Sequence, residues 1–262
     1  MSAVWSIRRW PRRRLNRALL DSGLGDPAFS AMKPADRAAT IPAPGPFSLV
    51  IFDWDGTLLD SISSIVDCTQ HALRDLDQPP VPDEQIRGAI GLGLRETVER
   101  FAPGCDEALF GAIVETYGRH WLETYCHRPQ LFPGARALLE DLREEGYLLG
   151  LATAKGRRGL TRDLEATGMG EFFLATRTVD EARSKPDPQM IFDIVDELDA
   201  TIDQTLMVGD TIHDIEMAHN ARAAAVAVCS GSETRTTLEE ARPLICLDRA
   251  TELPAWLSLE GG

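Results

Sequence analysis

From Phe47 onward the apolar residues follow two alternating patterns. The first is a short, nearly unbroken apolar run: FSLVIFD (47–53), YLLGLAT (147–153), FFLAT (172–176), QTLMVGD (204–210), AAVAVC (224–229) and PLICL (243–247). Runs of this length match strands buried on both faces. The second pattern spaces apolar residues three and four apart: PGARALLEDLREEG (133–146), KGRRGLTRDLEATG (155–168), DPQMIFDIVDELD (187–199) and TIHDIEMAHNA (211–221). Pro near a start and Gly at an end mark these as helices. Asp187-Pro188 reads as an N-cap followed by the first helical residue. Strands alternating with helices predict an α/β fold, a doubly wound, mostly parallel, Rossmann-like sheet.

The alternation is interrupted once. Between the first strand and Leu131 no strand pattern occurs. Instead come SISSIVDCTQHALRDL (61–76), PDEQIRGAI (82–90), LRETVERF (94–101) and DEALFGAIVETYGRHWLETY (106–125), all helical. The expected organisation is a core of residues 47–60 and 132–262, with residues 61–131 inserted as a small α-helical cap. Residues 1–46 form a basic, Pro-rich extension ending in IPAPGP, expected to be disordered. Ligands of parallel sheets sit beyond the carboxyl ends of the strands, so the insertion leaves the sheet where it can cover them.

The strand ends carry the chemistry. The first strand stops at Asp53-Trp54-Asp55-Gly56. Two carboxylates at i, i+2 project to the same side and repel each other unless a cation lies between them. The second strand ends in Thr153, then Ala154 and Lys155. The fourth ends in Asp210, with Asp214 one helical turn on. Between them SKPDP (184–188) presents Lys185 on a stiff, extended segment, because Pro186 disfavours helix at the residue before it. Several carboxylates at one edge make a hard oxygen cage suited to Mg²⁺. A carboxylate not fully occupied by metal can attack phosphorus, and the second can protonate a leaving alcohol and then activate water. Lys185, Thr153 and backbone N–H groups of the Trp54–Gly56 turn can hold phosphoryl oxygens. Lys155 is a further cation at this edge.

Four motifs, DWDGTLLD (53–60), LATAK (151–155), SKPDP (184–188) and GDTIHD (209–214), occur in this order. In these the chain resembles the haloacid dehalogenase superfamily hydrolases, in particular the phosphoglycolate phosphatase-like branch with a helical cap, over roughly residues 47–260. The resemblance implies Asp53 as nucleophile, Asp55 as general acid/base, and Lys185 steadying the phosphoaspartate. Thr153 and Ala154, with Trp54 and Gly56, would bind the phosphate. Asp53, the Asp55 backbone carbonyl, Asp210 and Asp214 would hold Mg²⁺. The chain departs from the family at Ala154, where Asn is common, and at Arg222, where the helix after the fourth motif commonly ends in Ala-Gly.

The implied activity is hydrolysis of a small-molecule phosphomonoester, with 2-phosphoglycolate the named candidate. Dehalogenating relatives lack the second aspartate, which is present here as Asp55. Phosphonate-cleaving relatives need a cap lysine, and residues 61–131 contain none; the only lysines are Lys33, Lys155 and Lys185. A sugar-phosphate mutase and a non-catalytic phosphate-binding regulator are the alternatives. Specificity is expected from the cap, where GAIGLGLRETVERF (88–101) opens a helix with Gly91 and Gly93. Arg95 there would pair with a substrate carboxylate or with Glu99 one turn on. His120 and Trp121 are further pocket candidates.

Charge sharpens the choice of partner. The 262-residue chain has a formal net charge of −14, yet residues 1–20 hold six arginines and no acid, so the remainder carries −20. So acidic a body excludes nucleic acid as the main partner. No apolar run is long enough for a bilayer. Five scattered cysteines (68, 105, 126, 229, 246) without a C-x-x-C pair read as reduced intracellular thiols. The expectation is a cytoplasmic monomer or homodimer. An organellar transit peptide in residues 1–31, or a true start at Met32, would also account for the Arg-rich beginning.

Overall fold

The strands inside the sheet alternate their side chains between two apolar layers, which is why their sequences show no polar face. In β1 (Leu49–Phe52), Val50 and Phe52 enter one cluster while Leu49 and Ile51 enter the other. The computed structural model of the protein describes residues 46–125 and 129–260. Residues 1–45, on which the readings of a disordered, transit-peptide or over-extended N-terminus fall, lie outside the described residues.

After β1 come four helices, α1 (Ile62–Asp75), α2 (Asp83–Arg87), α3 (Leu94–Phe101) and α4 (Glu107–His120), the last running into a π-helical turn at Trp121–Tyr125. The core resumes as α5 (Ala135–Glu144), β2 (Leu148–Thr153), α6 (Arg157–Thr167), β3 (Ala175–Thr178), α7 (Gln189–Leu198), β4 (Thr205–Gly209), α8 (Ile212–Ala221), β5 (Ala224–Val228), α9 (Arg235–Glu240), β6 (Ile245–Leu247) and α10 (Leu253–Glu260). The six strands are all parallel in the order β3-β2-β1-β4-β5-β6. This is the doubly wound α/β arrangement expected. The order reverses between β1 and β4, and a crevice forms at such a switch point.

One layer packs α5, α6 and α10 on the sheet through Leu138, Leu139, Leu142, Leu160, Leu253 and Leu257. The other packs α7, α8 and α9 through Met190, Ile191, Ile194, Ile215, Met217 and Leu238. The inserted helices have a cluster of their own, built from Val66, Leu73, Val81, Ile86, Val98, Phe101 and Ile113.

The third strand differs from its predicted position. It spans Ala175–Thr178, not 172–176. Phe172 and Phe173 follow a 3₁₀ turn (Met169–Glu171) and fill the layer under α5 and α6. Arg136 and Arg143 lie over the Phe172 ring. An edge strand has only one neighbour; β3 therefore carries Thr and Arg, with Arg177 ion-paired to Glu197 at 2.7 Å. The short α9 and α10 were not anticipated. The helix predicted at 187–199 begins at Gln189, whose N–H donates to the Asp187 carboxylate at 3.0 Å.

Helix α8 ends at Arg222, which adopts the left-handed region with φ 62° in place of the glycine usual there. The side chain is exposed, and left-handed backbone costs a residue with a Cβ about 1 kcal/mol. Arg222→Gly is therefore expected to raise the unfolding free energy by about 0.5–1 kcal/mol, read as a higher denaturation midpoint in urea. A lower midpoint would mean that Arg222 makes a compensating interaction.

Candidate active site

The parallel register pairs Phe52 with both Leu151 and Val208, so β1, β2 and β4 end at one level. Asp53 follows β1 directly, its N–H donating to Val208 O at 2.9 Å. Residues Trp54 to Leu59 then form a tight turn closed by Leu58 and Leu59 N–H groups on Trp54 O. Asp210 follows β4, and Asp214 lies in the first turn of α8. There Asp214 forms a reciprocal cap with Thr211, whose Oγ1 donates to its carboxylate at 2.7 Å.

Asp53, Asp210 and Asp214 converge. Each offers a carboxylate oxygen within 4.8 Å of the others, and their exposures are 3%, 0% and 1%. Lys185, on the loop after β3, is buried against two of them: its Nζ lies 2.7 Å from Asp53 Oδ1 and 2.6 Å from Asp214 Oδ1. Asp210 is held by neutral donors, Thr57 Oγ1 at 2.8 Å and Ser232 N at 2.9 Å. Glycine makes the space, since a Cβ on Gly56 or Gly231 would overlap the Asp210 carboxylate. Gly56, with φ 87°, also needs the left-handed region.

Three carboxylates against one ammonium leave the cluster short of positive charge. Burial pushes the Asp53 carboxyl up to about 7; Lys185 pulls it down and Asp214 pushes it further up. Burial, then Asp53 and Asp214, push Asp210 well above the usual carboxylate range. Burial opposes the charge on Lys185, but Asp214 and Asp53 more than reverse that and raise it. A buried, oxygen-only set with net negative charge fits a hard divalent cation such as Mg²⁺.

Asp55 lies outside that cluster. Its Oδ1 accepts from Ser61 Oγ at 2.7 Å and pairs with Lys155 Nζ at 2.8 Å. Lys155 Nζ is also 2.8 Å from Asp163 Oδ2, and the Trp54 indole N–H donates to that same oxygen at 3.1 Å. Burial opposes the Lys155 charge, and Asp55 and Asp163 more than offset it, so its ammonium is stabilised. Tyr117 on α4 is raised well above its usual range, by burial first and then by Cys68, Asp55 and Asp163 nearby.

The structure thus brings Asp53, Asp55, Thr153, Lys155, Lys185, Asp210 and Asp214 to one edge. Thr153 is buried, and its Oγ1 accepts the Lys155 N–H at 3.2 Å; Ala154 is half-buried beside it. The Trp54 backbone N–H faces the Asp53 carboxylate and favours its charged form. The Gly56 N–H donates to Leu59 O at 2.8 Å, and the glycine leaves space beside the Asp210 carboxylate. One expectation needs correction. Arg95 pairs neither with Glu99 nor into the site: Nη2 lies 2.7 Å from both Glu107 carboxylate oxygens, and the guanidinium covers the Phe110 ring at 3.9 Å. The α3–α4 turn places Glu107 and Phe110 beside it, closer than the next turn of its own helix. His120 is likewise spent on Asp75 at 2.9 Å. Trp121 does reach the site, its ring 5.1 Å from Lys155 Nζ.

Asp163, Ser61, Thr57, Gly231 and Ser232 were not singled out from the sequence. Asp163 left a trace there, because it occupies the apolar stripe Leu160–Asp163–Leu164–Thr167 of α6, where a charge calls for a partner. The others lie in turns and a loop that become neighbours only in the fold.

The family model described as haloacid dehalogenase-like hydrolase matches residues 50–228. The chain is 36% identical over 209 residues, 78% of its length and 91% of the relative's, to the "Probable phosphatase IndB" of Dickeya dadantii. It is 33% identical over 191 residues, 70% of its length and 80% of the relative's, to the plasmid phosphoglycolate phosphatase of Cupriavidus necator. Among solved structures it is similar to a hydrolase from Pseudomonas syringae, with a TM-score of 0.75 at 27% identity, covering 82% of this chain and all of that one.

The Asp53 carboxyl gives the cluster a pH signature in EDTA. Folded, it keeps its proton to about pH 7; unfolded, it releases it near 3.8. The native chain then binds more protons than the unfolded chain across that window. Stability from this group is full below the window and falls as pH rises through it, by at most about 1.4 kcal/mol per pH unit. The thermal midpoint of the metal-free protein should drop between about pH 5 and pH 7, and Asp53→Asn should flatten that drop. Parallel curves for the two proteins would show that Asp53 is not its source.

Proposed function

From the premise that the chain belongs to the haloacid dehalogenase-like hydrolase family, we propose that it is a Mg²⁺-dependent phosphatase of small-molecule phosphomonoesters that works through an aspartyl-phosphate on Asp53. The observation that carries this reading is the division of labour between two carboxylates two residues apart. Asp53 lies in the buried aspartate cluster against Lys185. Asp55 lies outside it, paired with a different lysine.

In this reading Asp53, Asp210 and Asp214, with the Asp55 backbone carbonyl, would hold the metal. The bound ion would neutralise the carboxylates and the oxygens of the transferring phosphoryl group. One Asp53 oxygen attacks phosphorus as the bond from phosphorus to the leaving oxygen breaks. Asp55 delivers its proton to that oxygen, releasing the alcohol. It then takes a proton from the water that attacks the phosphoaspartate, returning Asp53 and freeing inorganic phosphate. Lys185 and the Thr153 hydroxyl steady the phosphoryl oxygens. Residues 47–60 and 132–262 serve as the catalytic core and residues 61–131 as a cap that excludes water during transfer. Three contacts favour that role. Ser184 Oγ donates to Glu96 on α3 at 2.8 Å, Gly91 lies against Thr211, and Trp121 covers Lys155.

The organic part of the substrate is less constrained. 2-Phosphoglycolate enters as a candidate through the Cupriavidus relative, but Arg95, the cation expected for its carboxylate, is committed to Glu107. No helix among the described residues is long and apolar enough to cross a membrane. The unpaired Cys68, Cys105, Cys229 and Cys246 support a cytoplasmic setting.

The test is phosphate release from a panel of small phosphomonoesters, including 2-phosphoglycolate, with Mg²⁺ and with EDTA. Release is expected only with metal, and Asp53→Asn should lower kcat by at least about 10³-fold. Metal-independent release, or an Asp53→Asn protein as active as wild type, would refute the mechanism. Isomerised sugar phosphate in place of free phosphate would make the protein a mutase.

A further inference from the structure

Lys155 and Asp163 take no part in the scheme above, yet both are held as tightly as the residues that do. The Lys155 side chain is 12% exposed and that of Asp163 2%. A charged pair this deep costs desolvation that geometry must recover, and the arrangement around it is closed. Trp54 donates to Asp163, Asp163 pairs with Lys155, Lys155 pairs with Asp55, and Asp55 follows Trp54 in the chain. The ring of contacts returns to the turn it started from. Gly159 in α6 leaves a groove for the lysine stem; a Cβ there would stand 3.1 Å from Lys155 Cγ. Glycine inside a helix costs about 1 kcal/mol relative to alanine, so the groove is kept against propensity. Trp121 from the inserted helices closes over the ammonium.

Resting on the reading of Asp55 as the acid/base, we infer that Lys155 and Asp163 are positioning residues that hold the Asp55 carboxylate out of the metal cage and free to meet the leaving oxygen. The physical need follows from proximity. Asp55 lies two residues beyond Asp53, in the turn after β1, near a cluster that already holds three carboxylates and one ammonium. Lys185 is spent on Asp53 and Asp214. Without a second cation Asp55 would compete for Lys185 or turn into the cage as a further metal ligand, and in either place it would be lost to the leaving group. Lys155 supplies the second cation at a separate point. Asp163 keeps that cation from following Asp55 into the cage, because it ties Nζ to α6 and, through Trp54, to the turn itself.

The readout is the dependence on leaving group, which general damage to the fold would not produce. p-Nitrophenolate departs without a proton and an alkoxide does not. In Lys155→Met and Asp163→Asn, kcat for alkyl phosphates should fall about 10²-fold, with KM changed by less than about threefold. For p-nitrophenyl phosphate kcat should fall less than about tenfold. Lys155→Arg, which keeps the charge, should recover part of the alkyl phosphate rate. Asp53→Asn in the same assay should be silent towards both substrates. Equal losses on both substrates, or no loss on either, would overturn the positioning role while leaving the hydrolase reading intact. A wild type that turns over neither substrate would overturn both. If Asp163→Asn does not fold, the contrast between Lys155→Met and Lys155→Arg decides.

Discussion

The constraint on which the rest of the structure depends is the mutual repulsion of Asp53, Asp210 and Asp214 in a site that water scarcely reaches. Buried like charges at a few ångströms are among the most costly arrangements a protein holds. Here the cost is met by a single buried lysine, by hydroxyl and amide donors on Asp210, and by proton uptake on the carboxylates that remain. Much of the local sequence follows from it. Gly56, Gly209 and Gly231 stand where any Cβ would strike an aspartate of the cluster. Thr57 and Ser232 stand where Asp210 needs donors. A cation of charge two would complete the balance, and the donors are all hard oxygen.

The second cation solves a different problem. In the proposed reading the Asp55 carboxylate has to stay free of the metal, yet it lies only two residues beyond Asp53, in the turn after β1. Lys155, seated in the groove of Gly159 and paired with Asp163, holds the Asp55 carboxylate apart from the aspartate cluster. The inserted helices meet the core at this same place. Glu96 accepts from Ser184 next to Lys185, and Trp121 lies over Lys155. Each of the two lysines therefore has a contact from the insertion at or beside it. Any movement of those helices would be felt at both carboxylates.

Particular residues show why parts of this were legible and parts were not. The strands β1, β2, β4 and β5 lie inside the sheet, so both faces are apolar and the runs stand out. The edge strand β3 has one neighbour and polar residues, and the stronger apolar signal of Phe172 and Phe173 nearby drew the expectation three residues early. Asp53, Asp55, Thr153, Lys185 and Asp210 were visible because each stands where an apolar run stops or in a stiff Pro-flanked segment, and Asp214 because it lies one helical turn after Asp210. Asp163 sits within a helix, where an acid ordinarily faces water, and only its place on the apolar stripe betrays it. Arg95 was misplaced because its partner Glu107 is a neighbour across a turn and not along the helix.

The sequence by itself determined the class of sheet, the place of the insertion and the set of groups gathered at the strand ends. These follow from local periodicity and from where apolar runs end, both properties of neighbouring residues. The tertiary structure alone decided how the charges pair: Lys185 with Asp53 and Asp214, Lys155 with Asp55 and Asp163, Arg95 with Glu107. Pairing depends on distances of a few ångströms between groups up to 132 residues apart in the chain. Those distances are set by strand register, by helix packing and by the space left at glycines, and none of them is a property of a short stretch of sequence.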